Sequence, residues 1–392
     1  MTRFKIFVCS LVLPLCAAIA DVFPVPQFGY AIDFPEGFSL DDGSDDLSLL
    51  LFRHTLLPVE VITCVYPADA YPSAAAALGG TFARLGATGD VAQVRWRNQR
   101  CALSPMTVQN DALDGPHEGW SCAVPLPDKK GWLTVFAYAP AASAADCEPF
   151  LLSVLDSVMT DAGSLREAGI VTASEFPGGK RQKLTLTIAG KDITVRVGSD
   201  DVAAAQSVID REWAVFLPFA TTDYAIAAWQ RFYRLIARDS RGRTKEAAFA
   251  IQNALAKSAR QADPNDPDAA VAQMLLTWTQ GFPYERASDT PDKADFASIP
   301  SVLRGAPSDC DSRSLLVAVL LKNMDIDACL FVSAAYSHAV LGVALPGKQG
   351  QVIAAGGTDY LVGETTASGM TLGMMDASMQ DRAQWIPVLF YD

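Results

Sequence analysis

The stretch Gly305-Ala306-Pro307-Ser308-Asp309-Cys310-Asp311-Ser312-Arg313-Ser314 joins a turn-forming segment to the apolar run Leu315-Leu316-Val317-Ala318-Val319-Leu320-Leu321. Leu315, Leu316, Val319 and Leu320 recur at helical spacing, which predicts an amphipathic helix. Asp309 or Ser308 caps that helix and leaves Cys310 in its first turn. A thiol at that place meets unpaired N–H groups and the positive end of the helix dipole, and both favour the thiolate. The competing reading is a small core residue, since free Cys is among the most buried types.

The chain downstream favours the nucleophile. The run 332–343 reads as a strand carrying His338, and 359–366 as a further strand carrying Glu364. The order is therefore a cysteine at a helix start, a histidine on a strand and an acid on the next strand. Of three histidines, at 54, 117 and 338, only His338 lies in this half and can serve as base. His54 and His117 sit far apart, in a predicted strand and a loop, and read as surface or packing residues.

The segments GAPSDCDSRSLLVAVLLKNMDIDACLFV, SHAVLGVAL and YLVGETTA resemble the bacterial transglutaminase-like superfamily over about residues 265–392. The resemblance implies a permuted papain-like core in which Cys310, His338 and Glu364 form the catalytic triad. Glu364 stands where the family usually places Asp, and Asp359 is the alternative acid. Gln280 and Tyr284, in Trp278-Thr279-Gln280-Gly281-Phe282-Pro283-Tyr284, match a family segment that lines the active site; either can supply an oxyanion donor beside the Cys310 backbone N–H. Asp309 and Asp311 read as cap and loop residues. The implied chemistry is thiol acyl transfer on an amide bond, most simply by a peptidase or amidohydrolase. The alternatives are a protein cross-linking transglutaminase, which uses the same residues, and an inactive or weakly active cell-envelope scaffold or binding protein.

The chain has 392 residues and a net charge of −13, with 50% apolar and 19% charged residues. That is globular material for two or three domains. No Lys/Arg run is dense enough for a nucleic-acid surface, so nucleic acid is not an expected partner; the resemblance implies a protein or peptide substrate in the cell envelope. Residues 2–5 are a basic n-region, 6–16 an apolar h-region, and Ala18-Ile19-Ala20 an A-x-A site. They predict a signal peptide over 1–20, cleavage before Asp21 and a periplasmic or secreted protein; lipidation at Cys16 is the runner-up. Six cysteines then remain, and the four at 64, 101, 122 and 147 allow two disulfides in any of three pairings. Cys329 lies in an apolar strand and reads as core. No C-x-x-C, H-x-x-x-H or D-x-D-x-D-G spacing occurs, so neither zinc nor calcium is expected, nor any other cofactor.

The fold expectation is α+β. Residues 21–160 read as strands at 28–38, 47–52, 59–65, 91–96, 119–124 and 131–138, with helices at 74–85 and 146–159. The opening Y-x-I-x-F-P-x-G-F (30–38), the sheet and the closing helix resemble small PsbP/Mog1-type domains. Residues 165–262 read as a connecting segment: a hairpin at 183–188 and 193–197, then helices at 201–216, 224–238 and 244–259. The last two helices carry Arg231, Arg234, Arg238, Arg241, Arg243 and Lys245. These read as a solvated face, with binding of an anionic envelope polymer as the alternative. The turn-rich 261–267 marks a boundary, and 263–392 is the transglutaminase-like region, opening with a helix over 268–279.

Overall fold

The computed structural model describes residues 22–109, 113–288, 290 and 293–391, so the expected processing signal lies outside the described residues. The architecture is mixed α+β. The N-terminal half is built on an antiparallel sheet whose strands run, in spatial order, Phe38–Gly43, Leu49–His54, Glu60–Tyr66, Trp132–Pro140, His117–Pro125, Gln99–Val108 and Ala87–Thr88, with Ala92–Trp96 also paired to Gln99–Val108. Strand side chains alternate between its faces. Phe136 and Tyr138 meet helix α1 (Ala74–Leu85) on one face, and Val135 and Ala137 meet helix α2 (Ala144–Asp156) on the other. α1 keeps its predicted bounds: Ser73 caps it by accepting from the Ala76 N–H at 3.2 Å, and Gly86 ends it at φ 67°.

Two expectations for this half need correction. Val158–Met159 leaves the expected helix and pairs as a strand with Ile32 and Ala31. The structure adds a strand, Gln99–Val108, that is absent from the expected set and contains Pro105. Pro105 pairs with Trp120 on one side, and on the other it falls between the two short strands that pair with residues 99–103 and 107–108, where that edge has no partner.

No disulfide forms among the described residues: Cys64, Cys101, Cys122, Cys147, Cys310 and Cys329 are free thiols. Cys64 lies on the α1 face, alternating with Val61 and Val65, whereas Cys101, Cys122 and Cys147 belong to the core on the α2 face. The sheet itself separates Cys64 from the other three. His54 and His117 are buried packing residues, His54 among the Phe38, Phe150 and Phe219 rings.

After α3 (Ile170–Glu175), the hairpin Arg181–Ile188/Lys191–Gly198 turns on Ala189 and Gly190, both at positive φ. The two-residue turn is one that twisted strands prefer, so Lys191 and Asp192 belong to the ladder. Helix α4 (Asp201–Phe216) has its predicted bounds, but the next two expected helices are one, α5 (Ala225–Ala262), 38 residues long. Gly242 lies at the expected break. It costs only about 1 kcal/mol in a helix, and a Cβ there would stand 3.1 Å from the Arg166 carbonyl, so the glycine admits a neighbouring backbone.

The hairpin, α4 and α5 share one apolar core with α6 (Pro267–Gln280), α7 (Ile299–Leu303), α8 (Cys310–Lys322) and the C-terminal sheet. Segment 165–262 is thus packed into the C-terminal body. That sheet is antiparallel, in the order Val352–Ala355, Thr358–Gly363, His338–Val343, Ala328–Ser333, Ile386–Val388. α8 packs on the strands of 328–343 and is flanked by α5, α6 and α7. Residues Leu315 to Leu321 are therefore all buried, and over this run the helix is enclosed on every side instead of amphipathic.

The arginines of α5 are not a solvated face. Arg231, Arg234, Arg238 and Arg241 are each at most 3% exposed. The Arg234 guanidinium grips the buried Asp33 carboxylate with two bonds of 2.9 Å. Arg231 donates to the Asp33 carbonyl and, at 2.8 Å, to Glu212. Arg238 donates to the carbonyls of Asp156, Val158 and Ser164, and Arg241 to that of Tyr391. Lys245 alone of the six cations is fully exposed. The stripe therefore clamps the N-terminal half to the C-terminal body. Among the described residues no helix is long and apolar enough to cross a membrane.

Burial opposes the Asp33 charge, but Arg234 and Arg231 outweigh it and hold the carboxyl below its usual range. A depressed folded-state pKa contributes stability that is present above the unfolded value and lost as pH falls through the folded one. Arg234→Met should cost about 3–5 kcal/mol at pH 7, because it strips one partner from a buried charge. In urea titrations the Asp33→Asn/Arg234→Met pair should lose less stability than the wild type between pH 5 and 3. Equal acid sensitivity of the two would contradict the clamp.

Candidate active site

α8 delivers the thiol. Asp309 accepts from the Ser312 N–H at 3.2 Å and caps the helix, as expected, so Cys310 is its first residue. The turn before His338 closes at Ser337, φ 48°, and puts His338 at the start of its strand, opposite Ser333. Glu364 follows the end of the adjacent strand. Its Oε2 lies 2.6 Å from His338 Nε2, while Oε1 accepts from the Thr366 N–H at 2.8 Å and its hydroxyl at 2.6 Å. Burial opposes the Glu364 charge, but the His338 bond and the Thr366 donors outweigh it and hold the carboxyl below the usual range. The first turn of α8 anchors this segment, since Ser314 and Thr365 hydroxyls bond at 3.0 Å.

Cys310 and His338 open on one cavity of about 380 Å3. His338 Nε2 is engaged by Glu364, which leaves Nδ1 as the nitrogen available to a reacting group. The backbone N–H groups of Ala339 and Asp311 favour the thiolate. Its acidity is opposite to the expectation from helix position. Burial, then Asp311 and Asp309, push the thiol up to about 12. Asp311 is partly buried on the cavity wall and accepts from the Tyr233 hydroxyl at 2.5 Å. Burial and the neighbouring Asp309 raise its carboxyl well above the ordinary value, and Tyr233 and the Ser312 N–H only partly offset this. Two carboxyl groups this close do not both ionise easily.

Tyr284 lines the cavity, 60% exposed, with the Arg313 guanidinium 5.6 Å from its ring centroid. Gln280 does not reach the cavity. Both protons of its amide go to the Glu364 and Met370 carbonyls, at 2.8 and 2.9 Å, so it braces the acid-bearing segment and is not an oxyanion donor. Asp359 is exposed and pairs across the sheet with Ala354, away from His338. Sequence reasoning missed Tyr233, which holds Asp311, and Trp213 and Trp229, which line the cavity from α4 and α5. Their signal was present as aromatic residues within predicted helices, but only the tertiary fold brings them to Cys310.

No family model matches the chain, and no curated protein matches it. Among solved structures, the chain is similar to the solution structure of cyanobacterial PsbP (CyanoP) from Synechocystis sp. PCC 6803, with 16% identity and a TM-score of 0.29, over 40% of this chain and 98% of that one. It is also similar to a crystal structure from Bacteroides thetaiotaomicron VPI-5482, with 9% identity and a TM-score of 0.26, over 55% of this chain and 76% of that one. At TM-scores this low the likeness carries no argument about fold or function.

Asp311→Asn keeps an acceptor for Tyr233 but removes the second ionisable carboxyl beside the thiol. The apparent pKa of Cys310, read from iodoacetamide alkylation rates against pH, should fall by about one unit. The raised Asp311 pKa also makes a stability contribution that is present at low pH and lost as pH rises through the folded value. The variant should therefore lose less Tm than the wild type on moving to alkaline pH. An unchanged alkylation profile would contradict the carboxyl pair's hold on the thiol.

Proposed function

We propose that this protein is an exported thiol enzyme of transglutaminase-like type, acting on amide bonds by acyl transfer through Cys310, His338 and Glu364, and most simply a peptidase or amidohydrolase. The observation that carries the reading is the 2.6 Å bond between His338 Nε2 and Glu364 Oε2, with His338 and Cys310 on one cavity. Glu364 fixes the imidazole tautomer and stabilises the imidazolium. His338 Nδ1 takes the thiol proton as sulfur attacks the carbonyl carbon. Because burial and the flanking carboxyls favour the protonated thiol, that transfer accompanies attack and is not completed beforehand.

The Cys310 backbone N–H, free at a helix start, donates to the developing oxyanion, and the Tyr284 hydroxyl is the side-chain donor on the same cavity. Collapse breaks the C–N bond, and the amine leaves with the proton from His338. Water, deprotonated by His338, then attacks the thioester and releases a carboxylic acid and the thiol. An amine in place of water gives cross-linking through the same residues. The raised thiol pKa favours one second reading, a weakly active or inactive module serving as an envelope scaffold.

Hydrolysis of chromogenic peptide amides by the mature chain separates these readings. Cys310→Ala should abolish turnover, His338→Ala should lower kcat/KM by about 10^2–10^4-fold, and Glu364→Gln should lower kcat with KM little changed. Wild-type rates equal to those of Cys310→Ala across esters, amides and amine acceptors would favour the scaffold.

A further inference from the structure

The cavity beside Cys310 is not built from the C-terminal segment alone. One wall is Trp213 of α4 with Trp229, Phe232 and Tyr233 of α5, continued by Phe296. Phe232, Tyr233 and Phe296 are buried, whereas Trp213 and Trp229 are half-buried and line the space with their rings. The rings brace one another: Trp213 lies 5.7 Å from Phe232 and Trp229 6.2 Å from Tyr233. The wall is thus a continuous aromatic surface, and a cavity of about 380 Å3 falls in the range of side-chain and small-ligand pockets, about 300–1,000 Å3.

The carboxyl groups here already have partners. Asp295 holds Arg286 at 2.5 Å, Asp311 accepts from Tyr233, and Asp309 caps α8. An incoming cation therefore meets only carboxyl groups that already have partners, and an incoming anion meets Asp309 and Asp311 and a single cation, Arg286, which Asp295 already neutralises. An apolar ring loses nothing to either and gains contact with two indoles.

Resting on the thiol-enzyme reading, we propose that the Trp213–Trp229 wall is the acyl-side specificity subsite, which takes an aromatic side chain next to the scissile carbonyl. Segment 165–262 then selects the substrate while the C-terminal segment supplies the chemistry. The two parts are joined through Tyr233, whose ring belongs to the wall and whose hydroxyl holds Asp311 beside the nucleophile.

The test uses peptidyl chloromethyl ketones ending in Phe, Ala, Lys or Asp, in which the Cys310 sulfur bonds to the methylene carbon and chloride leaves. Adduct formation on the full chain is followed by intact mass. The Phe probe should react faster than the Ala probe by about 10-fold or more. Trp213→Ala and Trp229→Ala should bring the Phe-to-Ala rate ratio close to one, and Trp229→Phe should keep it. Equal rates for Phe and Ala, or a fastest Lys or Asp probe, overturn the subsite but leave the thiol-enzyme reading standing provided labelling depends on His338. No labelling of Cys310 by any probe, or labelling indifferent to His338→Ala, overturns that reading and the subsite with it.

Discussion

The buried carboxylate of Asp33 is the contact on which the rest of the molecule hangs. Arg234 grips its two oxygens, Arg231 holds its backbone carbonyl, and the Tyr391 hydroxyl donates to it from near the C-terminus. Three distant parts of the chain meet there: the strand Tyr30–Asp33, the long helix and the last described residue. A buried ion cluster of this kind is weak evidence for net stability, because desolvation offsets much of the attraction. Its hold lies in geometry, since the partners cannot slide without exposing an unpaired charge. The helix so fixed carries Trp229 and Tyr233, which form the wall facing Cys310. The shape of the cavity therefore depends on a contact made at the other side of α5.

Around the thiol, competing effects are decided by size. A helix N-terminus favours the thiolate by about 0.3–2 kcal/mol. Against it stand burial and two carboxyl groups, which raise the thiol from 9.0 to about 12, on the order of 4 kcal/mol. Burial and like charge win. A thiol kept protonated in this way is shielded from adventitious alkylation, and its proton has to move when a carbonyl is presented. Glu364 is well placed to support that step: its charge is secured by Thr366 as well as by His338.

Much of the local structure was legible in the sequence. α1 and α4 have their predicted bounds, and the Asp309 cap, the cysteine at a helix start and the histidine on a strand follow from periodicity and capping chemistry, whereas Glu364 falls one residue beyond the strand Thr358–Gly363 that was expected to carry it. The unread parts share a cause, which is dependence on distant partners. Arg231, Arg234, Arg238 and Arg241 are spaced as one helix stripe, but nothing local reveals the distant partners that await them: the carbonyls of residues 33, 156, 158 and 164 for Arg231 and Arg238, the Asp33 carboxylate for Arg234 and the Tyr391 carbonyl for Arg241. The apolar run of α8 reads as one-sided until the helices and strands that enclose it are known. Gln280 sits near the site in sequence, but its amide is spent on two carbonyls some 84 and 90 residues further along. Cys64 counts as a potential disulfide partner in the sequence and faces the wrong side of the sheet in the fold.

The most direct test of the account is to trap the covalent intermediate. The mature protein would be mixed with an activated aryl ester of a phenylpropionyl group, quenched in acid within seconds and mapped by mass spectrometry. The account predicts a hydroxylamine-labile acyl group on Cys310 that is strongly reduced in His338→Ala. Acylation confined to other residues, or a Cys310 adduct indifferent to His338, would contradict it.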